Sequence, residues 1–270
     1  MSGKLGCDIR ITCVKKETNL KPGCAGAKVL KTIELGKEND SIIVMLHGAN
    51  FVHSFGRQYA LADRFHIIVP HIMGFGEEAD RVFDTETCAA EIADFISELD
   101  QKVLLVGFSL GAQLAFKLIS EHSELFYSAV IVSPWLNKTE ASIKEAVKIN
   151  EKQLISLKKK WLCNCIGLMN GLPGNARQEF VGWMQNVKAE TIRNSVDNGI
   201  SFESEPKFAY VHFPIVALAG EKEQKEVIDS VKKMAEMNPY CRYEIWKKAA
   251  HNIPPVFAKE FNALISNLAR

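Results

Sequence analysis

Nowhere in the 270 residues do 18 apolar side chains run uninterrupted, and the opening Met-Ser-Gly-Lys-Leu-Gly-Cys-Asp holds no apolar stretch of the kind a secretory leader needs. Neither a membrane span nor export is signalled, and a cytoplasmic location is the expectation. An excess of one charge is also missing: 33 Lys and Arg face 32 Asp and Glu, a net charge of +1. That balance speaks against nucleic acid or an anionic membrane surface as a partner. The one tight basic run, 158–160, reads as a solvated helix face. Seven cysteines at 7, 13, 24, 88, 163, 165 and 241 form no even framework, which fits reduced thiols rather than disulfides. Cys163-Asn-Cys165 has no second pair at zinc-site spacing and H-E-x-x-H is absent, so neither a metal nor another cofactor is expected. Internal repeats and low-complexity tracts are lacking too.

What is present is apolar content, 47% of the chain, enough for a sizeable core. Its organising stretch is 103–115, Val-Leu-Leu-Val-Gly-Phe-Ser-Leu-Gly-Ala-Gln-Leu-Ala. Four apolar residues run into Gly107, Ser109 sits between Gly107 and Gly111, and Leu114, Ala115, Leu118 and Ile119 recur at helical spacing. The pattern predicts a buried strand, a tight turn and a helix. The turn would push the Ser109 hydroxyl out beside a helix N-terminus, whose free N–H groups suit an oxyanion.

The same alternation recurs along the chain. Segments 7–14 and 29–35 suggest two antiparallel edge strands. Strands are predicted at 41–46, 66–70, 103–108, 129–133, 214–219 and 242–246, and Asp84 or Thr85 would cap a helix whose face carries Ala89, Ile92, Phe95, Ile96 and Leu99. Such alternation gives an α/β fold with a mostly parallel central sheet and helices on both faces, and ligands bind beyond the strands' carboxyl ends.

Between 137 and 206 the alternation stops. Helical stretches at 140–157 and 176–197 flank a Gly-, Pro- and Asn-rich segment at 167–175. The expected organisation is a core of 1–136 and 207–270 carrying a separable helical lid at 137–206. Large apolar residues in that insertion, Trp161, Met169, Trp183 and Met184 among them, are expected to roof a pocket over Ser109 and bind substrate together with Asn50 and Phe108.

A serine hydroxyl needs a base, and the base needs a third group to orient it. Of seven histidines only His251 follows the last strand, in Ala249-Ala-His-Asn-Ile-Pro254. His47 is expected to shape its turn, while His53, His66, His122 and His212 read as surface or loop residues. For the acid, Glu223 in Gly220-Glu-Lys-Glu223 is well placed, though Glu221, Glu223 and Glu226 also suit the first turn of a helix.

With these residues in view the chain resembles the α/β-hydrolase superfamily, in particular its compact esterase-like members with a lid after the sixth strand. The resemblance spans nearly the whole chain: His47-Gly48, Gly74-Phe-Gly76, Gly107-Phe-Ser-Leu-Gly111, the turn from Gly220 to Glu223, and His251. It implies Ser109 as nucleophile, His251 as base and Glu223 as acid, with the N–H groups of Ala49 and Leu110 as oxyanion hole. Two positions depart from the family pattern, which has Asp where Glu223 and His71 stand. The function implied is a serine esterase acting on a small-molecule ester with an apolar acyl part. The alternatives are a ligand-binding protein that keeps the fold, or a thioesterase or C–C hydrolase using the same residues. Oligomeric state is not legible.

Overall fold

The computed structural model describes residues 30–170 and 172–269. In chain order these form β1 (Thr32–Leu35), β2 (Ile42–Leu46), β3 (His66–Pro70), α1 (Thr85–Ser97), β4 (Val103–Phe108), α2 (Leu110–Glu121) and β5 (Phe126–Val132). Four helices follow: α3 (Glu140–Leu157), α4 (Lys160–Met169), α5 (Gly174–Asn186) and α6 (Ala189–Val196). The chain ends with β6 (Ile215–Gly220), α7 (Lys225–Met237), β7 (Cys241–Trp246), α8 (Ile253–Val256) and α9 (Ala258–Leu268). The strand expected at 7–14 lies outside the described residues.

Side-chain alternation along the strands sets the layering. In β2, Ile42, Val44 and Leu46 face one side of the sheet and Ile43 and Met45 the other; in β4, Val103 and Leu105 join the first side and Leu104, Val106 and Phe108 the second. All of these are buried, so both faces must be covered. α1, α2 and α7 cover the first face with Ile92, Leu114, Leu118, Val231 and Met234, and α9 covers the second with Phe261 and Ile265. This is the α/β-hydrolase fold: a seven-stranded sheet in the order β1-β3-β2-β4-β5-β6-β7, parallel except for β1, which runs antiparallel to β3. The parallel register brings the ends of β2, β4, β5, β6 and β7 to one edge, with Gly107 opposite both Leu46 and Ile131. No helix among the described residues is long and apolar enough to cross a membrane.

The helices between β5 and β6 differ from expectation in two respects, and the packing of the segment in a third. The Gly-, Pro- and Asn-rich stretch is partly helical, because α4 runs through Gly167. A side chain there would crowd Arg177 of α5, with Cβ 3.0 Å from its Cγ, so the glycine lets the two helices pack closely. The helix expected at 176–197 is two helices, broken at Val187, whose φ of −57° and ψ of 127° leave the helical region. Nor is this segment a separate unit of packing. Its buried Leu154, Cys163, Phe180, Met184 and Ile192 belong to the same apolar cluster as Val44, Leu105 and Ala217 of the sheet.

Candidate active site

The turn from β4 into α2 is tight. Ser109 has φ 55° and ψ −114°, a conformation costly for a residue with a side chain and sustained only by its surroundings. The flanking glycines are required by space: a side chain at Gly111 would collide with the Leu46 carbonyl, and one at Gly107 with the carbonyl of Gly111. Ser109 N–H bonds Val132 O at 2.9 Å, and its hydroxyl makes no bond to its own helix. That hydroxyl is free to turn to His251, whose Nε2 lies 3.1 Å away.

His251 stands in the loop after β7, half exposed, with its ring 5.0 Å from the ring of Phe108. Its Nδ1 lies 2.9 Å from Glu223 Oε2. The loop is stitched to the turn that carries Glu223: Lys222 N–H donates to Ala249 O at 2.9 Å and Lys248 N–H to Glu221 Oε2 at 2.8 Å. Gly220 permits this approach, since a side chain there would strike the Ala249 carbonyl.

Glu223 is almost wholly buried, its side chain 2% exposed. Burial alone would raise its pKa, but hydrogen bonds from His251, the Gly220 N–H at 3.0 Å and the Ser133 hydroxyl at 2.5 Å, with the field of the imidazole, outweigh burial and lower it. The carboxylate therefore stays ionised beside the histidine. Glu223 reaches His251 from the turn at Gly220, whose carbonyl accepts from Glu223 N–H at 3.1 Å.

Across the site, the N–H groups of Ala49 and Leu110 have no acceptor among the described residues. Their positions are held by His47. Its Nδ1–H donates to Gly48 O at 2.8 Å, its Nε2 accepts from Ile72 N–H at 3.0 Å, and its carbonyl accepts from Gly111 N–H at 3.1 Å. Burial lowers the pKa of His47 to about 4, so it stays neutral and keeps the acceptor that Ile72 needs.

Ala49, Ser109, Leu110, Glu223 and His251 line one cavity of about 700 Å³. Its other walls come from the start of α7, from Ser133 and Trp135 after β5, from Ser142, Glu145, Ala146, Ile149 and Asn150 of α3, and from Ser195 and Val196 of α6. The substrate-binding residues expected from the sequence are placed elsewhere. Trp161 and Met169 are 68% and 82% exposed on the outer side of α4, because the small Cys163 and Gly167 form its packed side. Trp183 stacks on His53 at 5.6 Å and meets His71 edge-on at 5.2 Å, and Met184 is buried in the core. Asn50, with φ 63°, shapes the loop after β2 and is not in the cavity wall; Phe108 backs the His251 ring rather than lining the cavity. His53 is not a surface residue but 2% exposed, and His71 accepts from Glu77 N–H at 2.8 Å within its own loop. Two polar residues of the cavity wall, Ser133 and Gln113, carried no signal in the sequence. Among the described residues no group of three or more His, Cys, Asp or Glu side chains is arranged to hold a metal ion.

Residues 43–264 match the sequence profile of the alpha/beta hydrolase family. The chain belongs to that family. Over 223 residues it is 24% identical to the biotin biosynthesis bifunctional protein BioHC of Teredinibacter turnerae, covering 78% of this chain and 32% of that protein. The chain thus spans about a third of that relative's length. Among solved structures it is similar to a bromoperoxidase from Bacillus anthracis (TM-score 0.70, 17% identity, 88% of this chain and 94% of that one). It is also similar to the esterase EaEST from Exiguobacterium antarcticum (TM-score 0.68, 18% identity, 88% and 95%) and to MenH from S. aureus (TM-score 0.66, 18% identity, 88% and 96%). At these identities the structural likeness shows the fold.

Proposed function

We propose that the protein is a serine hydrolase that cleaves a carboxylic ester through an acyl-enzyme, with Ser109, His251 and Glu223 as its triad. The observation that carries this reading is the unbroken chain from Ser109 Oγ through both ring nitrogens of His251 to Glu223, at 3.1 and 2.9 Å. In the first half-reaction, Ser109 Oγ attacks the ester carbonyl carbon as its proton passes to His251 Nε2. Glu223 holds Nδ1–H and balances the imidazolium, while the N–H groups of Ala49 and Leu110 donate to the oxyanion. The C–O bond to the leaving alcohol then breaks, and the alkoxide takes the proton from Nε2. In the second half-reaction a water gives its proton to Nε2 and attacks the acyl carbon, releasing the acid and restoring Ser109. Residues 137–206 act as the cap, with α3 and α6 forming its cavity side, and a small to medium acyl group fits the mixed walls beneath.

A fluorophosphonate probe tests the reading. The expected result is a single adduct on Ser109 by mass spectrometry, together with hydrolysis of p-nitrophenyl esters that Ser109→Ala abolishes. An adduct on another residue, or esterase activity that survives Ser109→Ala, overturns it.

A further inference from the structure

Gln113 presents a polar group to the cavity that nothing in the described protein satisfies. It lies one helical turn beyond Ser109 on α2, and its N–H bonds Ser109 O at 3.2 Å. It lines the cavity although only 6% of it is exposed.

Which end of the amide faces the cavity follows from its neighbour Asn198. The Ile200 N–H can only donate, and it reaches Asn198 Oδ1 at 3.1 Å; the Ser195 carbonyl can only accept, and it takes Asn198 Nδ2 at 3.0 Å. The Asn198 amide is therefore oriented by backbone groups on both sides, which removes the usual ambiguity of oxygen and nitrogen. Its second Nδ2 hydrogen points at Gln113 at 2.9 Å and must meet Gln113 Oε1. The Gln113 NH2 is left over, with no acceptor among the described residues. Behind Asn198, Lys138 Nζ donates to the same Oδ1 at 2.5 Å. Burial pushes Lys138 down to about 7, against the pull of Asp197, and its charged and neutral forms both donate, so the orientation holds in either. Donors aligned head to tail from Lys138 through Asn198 to Gln113 polarise one another and strengthen the last N–H.

We infer that Gln113 Nε2 is a substrate-recognition donor, which makes the preferred substrate an ester carrying a second oxygen acceptor, a keto, amide or carboxylate oxygen, a few bonds from the reacting carbonyl. Gln113 follows Ser109 by one turn and lines the same cavity, which keeps that acceptor close to the reacting carbonyl. A plain alkyl acyl group of the same length covers this N–H and takes it from water without meeting it, and sites built around a donor discriminate strongly against analogues that lack the acceptor. Trp135, Ile149 and Val196 in the cavity wall are apolar side chains that face a carbon skeleton between the two oxygens. The inference rests on the ester hydrolase reading for its substrate, but its binding step is measurable without turnover.

The test compares p-nitrophenyl 4-oxopentanoate with p-nitrophenyl pentanoate, each corrected for its uncatalysed hydrolysis. The wild-type protein is expected to favour the oxo ester by at least about tenfold in kcat/KM, the scale of one well-placed hydrogen bond. In Gln113→Met the ratio falls to about one, and in Gln113→Glu, which presents an oxygen in place of the NH2, it inverts. Because each ratio is taken within one protein, a partly misfolded variant still reads out. Independently, Ser109→Ala is titrated with methyl 4-oxopentanoate and methyl pentanoate by NMR, and the oxo ester is expected to bind tighter. Equal rates on both esters in the wild type, or a preference that survives Gln113→Met, overturns the subsite and leaves the hydrolase reading intact. Preferential binding without hydrolysis of either ester supports the subsite and sinks the hydrolase reading. Equal binding of the two esters by Ser109→Ala overturns the subsite by itself.

Discussion

Ser133 reaches from the end of β5 to the turn after the neighbouring β6, where its hydroxyl donates to Glu223 Oε1 at 2.5 Å. Ser133 is itself in the left-handed region, φ 56°, with its N–H held by Leu218 O at 2.7 Å. On the proposed mechanism, a side chain fixed so firmly in a strained backbone makes Ser133 a positioning residue for Glu223. Ser133→Ala should lower kcat/KM by roughly tenfold, the worth of one hydrogen bond to a charged group. The rate of fluorophosphonate labelling should fall in step with it. Unchanged labelling would mean that the Gly220 N–H orients the carboxylate unaided.

Glu223→Gln removes the charge and offers a donor where His251 Nδ1–H needs an acceptor. We expect kcat to drop by roughly two or more orders of magnitude, the scale for neutralising a triad acid. Glu226 borders the cavity without bonding His251, so Glu226→Gln should stay within about twofold of wild type, a change of the size that surface substitutions bring. Steady-state kinetics on one ester decides between them. The reverse pattern would assign the acid to Glu226.

Acyl-chain preference should ignore the outer face of α4. Trp161→Ala and Met169→Ala are expected to leave the profile across p-nitrophenyl esters of rising length unchanged, because neither residue is in the cavity wall. Ile149→Asp, which puts a charge on the cavity side of α3, should depress the longer esters selectively. A profile that shifts with Trp161 would show that α4 reaches the substrate during turnover.

Three buried histidines give stability an acid-sensitive flank. Burial lowers His47 and His53 to about 4 and His71 to about 3, against 6.5 for the ordinary group. Below pH 6.5 the unfolded chain takes up protons that the folded protein refuses, so stability is complete above 6.5 and drains as pH falls toward 4. Each histidine contributes up to about 1.4 kcal/mol per pH unit in that window. Urea unfolding at pH 7, 6, 5 and 4 should show the decline. His53→Phe should flatten the slope by about a third, since each of three groups contributes equally in the window. His53 is the one to replace because its Nε2 has no partner. An unaltered slope in that variant would remove His53 from the effect.

The sequence made the backbone of the site legible and left its walls obscure. Continuous apolar runs ending at Leu46, Gly107 and Gly220 mark strands buried on both faces, and the residues just after them converge because parallel strands share one edge. Nothing local marks Ser133 or Gln113: a serine after a strand and a glutamine on a helix are common, and their roles depend on Glu223 and Asn198, 90 and 85 positions away. The outer face of α4 misled for a physical reason. Helix packing there favours close approach through Cys163 and Gly167, so the bulky Trp161 and Met169 turn outward.

The apolar cluster common to the sheet and the helices α3 to α6 has a consequence for engineering. Grafting a relative's segment in place of residues 137–206 would not be a loop exchange. The donor segment would have to reproduce the volumes of Phe180, Met184 and Ile192 in the apolar cluster they share with the core, because cavities left there destabilise the whole domain, not the inserted helices alone. Side chains of α3 and α6 that line the cavity and lie outside the apolar cluster, such as Ala146 and Val196, can be exchanged one at a time, and they offer the shorter route to altered specificity.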